Sequence, residues 1–245
     1  MAKFAVILPA AGKSSRFKNP QYKKPFIPLG DRALWLHAAE RFINRSDVCQ
    51  VIIVIAAEDR EYFDSRFASN VVFLGIDVVE GGQERADSVE KALAAVKEEA
   101  DYVCVHDAAR PCLAPMWIDA VFAAARKHGA AILATPINGT IKRVDGDQIV
   151  ETVPRAGLWE AQTPQVARKD LLLKAYAERQ GFVATDDAQL LERMGQKVAV
   201  VPGSPLNLKV TTQEDLKLAE QALKVLPKPR LDRPAHPFAD DDLWR

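Results

Sequence analysis

Short apolar runs alternate with amphipathic stretches along most of the chain. Residues 4–8, 51–55 and 102–106 are brief runs of mainly apolar, branched or aromatic side chains. Because these runs do not alternate with polar residues, they are typical of strands that are covered on both faces. Similar runs predict further strands at residues 71–79, 131–134 and 198–201.

Between the apolar runs, hydrophobic residues recur at helical spacing. The predicted helices cover residues 33–44, about 89–96, 115–127, 169–178, 188–194 and 213–225. This alternation predicts an α/β fold with a Rossmann-like, mostly parallel sheet and helices on both faces. Ligands of such sheets bind beyond the carboxyl ends of the strands. We therefore expect the loops that begin at Pro9, Gly81 and Asp107 to meet at one site.

A β-hairpin is predicted after Pro136, where the alternation of strands and helices changes. Residues 140–144 and 148–153 are β-prone and flank Asp145-Gly146, a dipeptide typical of tight hairpin turns. The hairpin is too polar for a core, so we interpret residues 137–160, approximately, as a protruding arm. A lone hairpin is only marginally stable in water, so a second subunit is its expected partner.

The arm and the strand–helix alternation belong to one predicted domain. We expect that domain to cover residues 1–226. Beyond it come four prolines, an acidic cluster and few apolar residues, which predicts that residues 227–245 form a mobile tail.

Composition narrows the possible partners. The 245 residues include 33 Lys and Arg and 33 Asp and Glu, so the formal net charge is zero. Without a net positive charge, the chain has no overall electrostatic attraction for nucleic acid. Any anion-binding site must therefore come from a local group of cations. The three cysteines form no CxxC pair, and no zinc spacing is recognisable. No apolar stretch is long enough to span a bilayer. We therefore expect a cytoplasmic protein without a membrane or nucleic-acid partner.

The loop after the first strand is rich in cations. Between Pro9 and Gly30 there is no acidic residue, and the cations are Lys13, Arg16, Lys18, Lys23 and Lys24. The small residues 10–12 would let the backbone approach a ligand, and successive amide groups can form an anion-binding nest. A solvated basic loop is the alternative interpretation, and composition alone does not decide between the two.

Two familiar phosphate-binding motifs are missing from this loop. Gly12-Lys13-Ser14 is similar to the end of a P-loop, but that motif requires glycine where Ile7 stands. Nor does a GxGxxG sequence follow the first strand, which argues against a dehydrogenase on a Rossmann sheet.

Several motifs, taken in order, resemble one enzyme family. Pro9-Ala-Ala-Gly12, Arg16 and Lys24 are similar to the signature loop of sugar-phosphate nucleotidyltransferases. The further motifs are GGQERADSV at 81–89, HDAARP at 106–111, GLWEAQTPQ at 157–165, TD at 185–186 and NLKVT at 207–211. The ordered set resembles the 2-C-methyl-D-erythritol 4-phosphate cytidylyltransferase family. That resemblance implies transfer of CMP from CTP to 2-C-methyl-D-erythritol 4-phosphate, with release of pyrophosphate, in non-mevalonate isoprenoid biosynthesis.

The resemblance implies which residues bind the nucleotide. Backbone groups of Ala10, Ala11 and Gly12 would hold CTP. The residues that would contact the cytosine and ribose are Gly82, Gln83 and Ser88.

The resemblance also implies the catalytic and acceptor-binding residues. Arg16 and Lys24 would stabilise charge on the α-phosphate. Asp107 and Arg110 would bind near the sugar alcohol and the metal–triphosphate. Asp107 is the candidate ligand for Mg²⁺, which the triphosphate itself would mainly hold. Lys209 would orient the acceptor phosphate for attack.

Three more residues lie on or just after the arm. In the family, the positions of Thr140, Arg155 and Thr163 reach into the site of the neighbouring subunit, and Arg155 helps to hold the acceptor phosphate. The resemblance thus implies a homodimer that forms through the arm.

Alternatives remain open on the sequence alone. Asp107 could instead cap a turn and pair with Arg110. Ser88 could cap the first turn of a helix. The catalytic lysine could be Lys23 instead of Lys24. Ribitol 5-phosphate or another sugar phosphate could be the acceptor. A protein of another class, a non-catalytic nucleotide-binding regulator, is a further alternative.

Overall fold

A seven-stranded mixed sheet forms the centre of the computed structural model, which describes residues 2–12, 17 and 23–227. The strands are β1 (Phe4–Pro9), β2 (Pro28–Leu29), β3 (Arg32–Ala33), β4 (Val48–Ile55), β5 (Asp77–Glu80), β6 (Tyr102–Val105), β7 (Ala130–Pro136), β8 (Ile141–Asp145), β9 (Gln148–Val153), β10 (Trp159–Arg168) and β11 (Ala199–Pro202). The helices are α1 (Leu34–Ile43), α2 (Arg60–Leu74), α3 (Arg85–Leu93), α4 (Pro115–His128), α5 (Lys169–Ala177), α6 (Asp187–Arg193) and α7 (Gln213–Val225).

The order of strands in the sheet is β11-β7-β10-β6-β1-β4-β5. Every pairing is parallel except the two made by β10, which runs antiparallel to β6 and β7. The expected α/β fold with a mostly parallel sheet is therefore confirmed.

Helices cover both faces of the sheet. Phe4, Val6 and Leu8 of β1 join a buried cluster that includes residues of α1, α2 and α4. Ile7 of the same strand belongs to a second cluster, which includes residues of α3, α5 and α6. The burial of both faces explains why the run at residues 4–8 is apolar throughout.

The predicted hairpin is present as a separate two-stranded sheet. β8 and β9 pair antiparallel with each other and with no strand of the large sheet. Gly146 in the connecting turn has a φ of 58°, a conformation that favours glycine. Large apolar side chains of the hairpin face solvent: Val144 is 54% exposed and Ile149 is 63% exposed.

The strand predicted at residues 71–79 is wrong over its first half. α2 continues through Leu74 and ends at Gly75, which adopts the left-handed conformation with a φ of 63°. Only Asp77–Glu80 forms a strand. The apolar run misled the prediction because Val72 and Phe73 are exposed on the last turn of the helix, by 82% and 88%, and are not buried in the sheet.

The pattern of apolar residues did not predict β10, although this strand lies near the middle of the sheet. Its residues Gln162, Thr163 and Gln165 are polar, yet each is no more than 4% exposed. Pairing with β7 is interrupted between Ala161 and Gln165. Buried polar residues obscure the signal of a strand, and here they belong to the site described below.

Within the described residues, no helix is both long and apolar enough to be a candidate membrane span.

Candidate active site

A cavity opens at the carboxyl ends of β1 and β6, with a volume of about 310 Å³. Residues 9–12 follow β1, Gln83 follows β5 and Asp107 follows β6, and all of them line the cavity. Lys24 and Lys209 line it as well, although they come from distant parts of the chain. The loops at Pro9, Gly81 and Asp107 therefore meet at one place, as the strand ends predicted.

Close backbone approach shapes one wall of this cavity. A Cβ atom added to Gly81 would lie 2.7 Å from both Ala11 Cβ and Ser88 Oγ, and one added to Gly82 would overlap α3. The Gly82 N–H donates to Ser88 Oγ over 3.1 Å, and that hydroxyl donates to the Glu84 carbonyl over 3.1 Å. Ser88 thus lines the cavity and also fixes the turn before α3, so its two alternative roles coexist in the structure.

A second cavity of about 170 Å³ adjoins the first. Arg85, Asp107 and Lys209 line both cavities, so the two form one continuous cleft. The second cavity is also lined by Arg110 and Thr163, two residues that were predicted to bind substrate. Thr163 is 4% exposed and bonds to Asp107 of its own chain, so it belongs to this cleft and not, as the resemblance implied, to that of a neighbouring subunit.

Three cations surround Asp107 at the boundary between the cavities. Arg85 Nε lies 3.3 Å from Asp107 Oδ1, and Lys209 Nζ lies 2.6 Å from Oδ2. Arg110 Nε is 3.9 Å from Oδ2. Burial would raise the pKa of Asp107, but the charges of Arg85, Lys209 and Arg110 outweigh it and hold that pKa well below its usual range. Asp107 is therefore an ionised carboxylate at neutral pH.

A chain of hydrogen bonds fixes the loop that carries Asp107. The Asp107 N–H donates to Thr163 Oγ1 over 3.0 Å, and that hydroxyl is 3.1 Å from His106 Nδ1. His106 Nε2 is 3.0 Å from the Arg110 carbonyl, which can only accept, so Nε2 carries the hydrogen and Nδ1 accepts from Thr163. Burial lowers the pKa of His106 to about 4, so this imidazole is neutral at physiological pH.

A buried polar anchor precedes Lys209. The side-chain amide of Asn207 donates to the Thr163 carbonyl over 2.8 Å and to Gln162 Oε1 over 3.3 Å. The backbone carbonyl of Asn207 in turn accepts a hydrogen bond from the Arg110 guanidinium over 2.7 Å. Asn207 is 0% exposed, so these bonds tie the strand β10 to the segment that presents Lys209.

The neighbouring lysines Lys23 and Lys24 have different surroundings. Lys24 lines the larger cavity. Lys23 Nζ instead lies 2.6 Å from Asp59 Oδ1 and 3.1 Å from Glu58 Oε1. The buried ring of Phe26 packs against aromatic rings of α2 and so holds this segment in place. The geometry favours Lys24 as the lysine that faces a ligand.

Some predicted residues do not join the cleft. Thr140 and Arg155 are exposed and line neither cavity, and the Arg155 guanidinium donates to the Asn138 carbonyl. Arg16 lies outside the described residues, as does the predicted tail beyond residue 227.

Three polar residues around the cleft, Arg85, Gln165 and Asp187, have roles that the sequence alone does not predict. Arg85 donates to Asp187 Oδ2 over 2.7 Å, and Asp187 is 2% exposed. Gln165 Oε1 accepts the backbone N–H groups of Asp187 and Ala188, both over 2.9 Å, at the first turn of α6. The motifs at 81–89 and 157–165 contain Arg85 and Gln165, but spacing along the chain does not reveal their partners, which are 102 residues away for Arg85 and 22 and 23 residues away for Gln165.

The cleft is suited to an anionic ligand. Its lining cations are Lys24, Arg85, Arg110 and Lys209, and its lining carboxylates are Glu84, Asp107 and Asp186. Glu84 and Asp186 accept backbone N–H groups at the starts of α3 and α6. The third carboxylate, Asp107, lines both cavities and lies at their boundary. Among the described residues, no group of three or more His, Cys, Asp or Glu side chains could hold a metal ion.

Comparison with known proteins gives a consistent result. The family model for 2-C-methyl-D-erythritol 4-phosphate cytidylyltransferase matches residues 4–225. The protein of that name from Rhodopirellula baltica is 43% identical over 91% of this chain and 95% of its own length. The Bacillus velezensis protein of that name is 40% identical over 90% of this chain and 96% of its own length. The crystal structure of the Thermus thermophilus enzyme of that name superimposes with a TM-score of 0.73 at 32% identity, covering 92% of this chain and all of that one (100%).

Proposed function

This chain belongs to the 2-C-methyl-D-erythritol 4-phosphate cytidylyltransferase family, and we propose that the cleft lined by residues 9–12, Asp107 and Lys209 is where it performs the reaction of that family. The reaction transfers CMP from CTP to 2-C-methyl-D-erythritol 4-phosphate and releases pyrophosphate, a step of isoprenoid biosynthesis. The observation that supports this location is the convergence of Lys24, Arg110 and Lys209 on two adjoining cavities.

The larger cavity suits CTP. Backbone groups of residues 10–12 lie beside the tight glycine turn at Gly81, so a nucleotide could approach the main chain closely. Gln83 and Ser88 line the same wall, where they would contact the cytosine and ribose. Lys24 would face the α-phosphate.

The smaller cavity suits the acceptor. Arg110 and Thr163 line it, and Lys209 stands at its junction with the larger cavity. The nucleophile is the acceptor's own phosphate, which is already an anion near neutral pH and requires no general base. Two anions must approach each other, and charge spreads over the oxygens of the transferred phosphoryl group in the transition state. Positioning and cations therefore supply the catalysis, with Lys209 holding the acceptor phosphate in line.

A magnesium ion would fit this cleft only together with a substrate. Asp107 is the central carboxylate, and the cations around it leave at most one of its oxygens for a metal. Mg²⁺ commonly combines one or two carboxylates with substrate phosphates and water, which matches a single protein ligand. When bound, the ion would neutralise charge on the triphosphate and help pyrophosphate to leave.

The arm would complete the site of a second subunit. Thr140 and Arg155 flank β8 and β9 and line neither cavity of their own chain's cleft. The exposed apolar side chains Val144 and Ile149 give the hairpin a surface to bury against another chain. We therefore propose a homodimer in which Arg155 of one subunit contacts the acceptor phosphate in the other.

A cytoplasmic location is also part of the proposal. Cys49, Cys104 and Cys112 are all free thiols. Free cysteines are typical of proteins that remain in a reducing compartment.

A pyrophosphate-release assay tests the function. The purified chain is mixed with CTP, Mg²⁺ and 2-C-methyl-D-erythritol 4-phosphate, and parallel reactions contain ribitol 5-phosphate, no acceptor, or ATP in place of CTP. We expect release with CTP and the methylerythritol phosphate alone. Faster release with ribitol 5-phosphate would reassign the acceptor, and binding of CTP without release for any acceptor would indicate a non-catalytic nucleotide-binding protein.

A further inference from the structure

Arg85 connects the centre of the cleft to a buried carboxylate behind it. Its Nε lies 3.3 Å from Asp107 Oδ1, and its terminal nitrogen donates to Asp187 Oδ2 over 2.7 Å. The other oxygen of Asp187 accepts from the Tyr176 hydroxyl over 2.6 Å. Tyr176 and Asp187 are 4% and 2% exposed, so the rear of this chain of contacts is packed inside the protein.

We propose that Arg85 is a positioning residue for cytidylyl transfer: held from behind by Asp187 and Tyr176, it fixes the carboxylate of Asp107 and thereby the ammonium group of Lys209. This inference rests on the proposed function of the cleft and adds to it a residue whose effect on the reaction is exerted through Asp107 and Lys209.

The two carboxylate oxygens of Asp107 face different cations, which supports a positioning role for Arg85. Oδ1 faces Arg85, whereas Oδ2 lies 2.6 Å from Lys209 Nζ and 3.9 Å from Arg110 Nε. If the carboxylate turned, the Lys209 ammonium would move with it. Arg85 restricts that rotation because its guanidinium is planar and is held at a second point by Asp187. The Lys209 ammonium therefore stays at the junction of the two cavities.

A purely structural purpose explains the arrangement less well. A buried ion pair is a weak source of stability, because removing both charges from water costs about as much as their attraction returns. An apolar pair between α3 and α6 would hold the helices together equally well. Arg85 instead lines both cavities and meets Asp107 at their boundary, while Asp187 holds it from behind, and this boundary is where accurate placement of charge affects catalysis.

The chain offers a matched control for Arg85. Arg179 also bridges two carboxylates and also attaches to α3: it lies 2.7 Å from Asp87 and 2.8 Å from Glu90. It lines neither cavity of the cleft. Arg85→Gln and Arg179→Gln therefore each remove two ion pairs that involve α3, and only the first side chain faces the cleft. The carboxylate partners of Arg85 are buried, whereas those of Arg179 are 34% and 47% exposed, so the thermal midpoint is measured beside kcat to separate a loss of stability from a loss of placement.

The experiment compares kcat, the KM of each substrate and the thermal midpoint of wild type, Arg85→Gln, Arg85→Lys and Arg179→Gln. We expect Arg85→Gln to lower kcat at least about tenfold while the KM for CTP changes less than about threefold, because placement and not nucleotide affinity is lost. Arg85→Lys keeps the charge but has no planar fork to span both carboxylates, so it should not restore kcat. Arg179→Gln should retain kcat within about twofold, even if it melts earlier.

Several results would overturn the proposal. Equal losses of kcat in Arg85→Gln and Arg179→Gln would do so, and so would full recovery of kcat in Arg85→Lys. A rise in the KM for CTP that accounts for the whole loss of activity would instead make Arg85 a nucleotide contact. If Arg85→Gln does not fold, Tyr176→Phe decides, because it removes only the hydroxyl behind Asp187: a fall of about threefold in kcat supports the role and an unchanged kcat overturns it. A wild type that releases no pyrophosphate overturns the proposed function together with this inference, whereas an active wild type confines any failure to Arg85.

Discussion

The cleft and the arm are built by opposite means. In the cleft, Asp107 is 6% exposed and is held by three cations, and the hydroxyl of Thr163 fixes its backbone. In the arm, β8 and β9 contact mainly each other and expose apolar residues such as Ile149. The predicted site residues are divided between the two regions, with Lys209 in the first and Arg155 in the second.

In the proposed homodimer, this contrast would let one chain position some charges by its own core and others by assembly. Residues that follow the strands of a packed sheet inherit the rigidity of the core, because the sheet fixes their backbone. A hairpin with two exposed faces has no such support, and its geometry becomes defined only against a second surface. Removing a charge from the cleft should therefore affect catalysis directly, whereas changing the arm should act through assembly.

The largest expected effect concerns Lys24, which lines the cleft together with Lys209. Lys24→Ala should retain the fold but lose at least about a hundredfold in kcat, equivalent to about 2.7 kcal/mol or more, because it removes the cation that we propose to face the α-phosphate. Arg16→Ala is expected, from the sequence alone, to behave in the same way. Pyrophosphate release and circular dichroism measure the two properties.

Lys23→Ala is the matched control for Lys24→Ala. It removes the same charge one residue away, but Lys23 is paired with Asp59 outside the cavity, so kcat should fall much less. If Lys23→Ala is as inactive as Lys24→Ala, the distinction between the two lysines is wrong.

The next effect tests whether the arm supplies a residue to another chain. Arg155→Ala and Lys209→Ala should each be nearly inactive as homodimers. After the two are denatured together and refolded, activity should return to about a quarter of that of wild type, because half of the randomly formed dimers are mixed and each has one intact site. A mixture of Lys24→Ala with Lys209→Ala should remain inactive, because both residues belong to the same chain's cleft. No recovery in the first mixture would place Arg155 outside the partner's site.

Sequence patterns predicted the sheet well because its signal is local. The buried run at 51–55 lies within β4, and the Asp145-Gly146 turn joins β8 to β9. The same local reading failed at Val72 and Phe73, where exposed apolar residues end a helix. It also missed β10, because the buried residues of that strand are polar and are satisfied by partners far away in the sequence.

The candidate site shows the same division. Asp107 was accessible to sequence reasoning because it directly follows a strand, and the family motifs pointed to Lys24 and Lys209. Arg85 lies in one of those motifs, yet its role depends on Asp187, which is 102 positions away. Such a pairing exists only once the chain is folded, and no spacing or composition of a single sequence encodes it visibly.

The third prediction concerns His106, which connects the cleft to β10. Its pKa is ordinarily 6.5, and burial lowers it to about 4 in the folded protein, so below pH 6.5 the unfolded chain takes up a proton that the folded chain does not. The free energy of unfolding should therefore fall by roughly 2–3 kcal/mol between about pH 6.5 and 4 on account of this residue, and the contribution is fully present above pH 6.5. Chemical denaturation across this range measures the slope.

Titration of the individual imidazoles by nuclear magnetic resonance isolates the contribution of His106. The exposed His128 provides the comparison within the same molecule. An imidazole of His106 that titrates near 6.5 in the folded state would contradict a neutral, buried hydrogen-bond link between Thr163 and the Arg110 carbonyl.

The smallest expected effect comes from removing one methylene group, once from the central sheet and once from the arm. Ile53→Val removes it from β4, where the side chain is 0% exposed, and should cost about 0.5–1.5 kcal/mol of unfolding free energy. Ile149→Val removes it from the arm, where the side chain is 63% exposed, and should change that free energy by less than about 0.5 kcal/mol in dilute solution. If the arm buries Ile149 against a second chain, the cost of Ile149→Val should grow as the protein concentration rises, whereas the cost of Ile53→Val should not. Equal costs at every concentration would mean that the arm already packs within its own chain, and the contrast between a self-sufficient cleft and a partner-dependent arm would be lost.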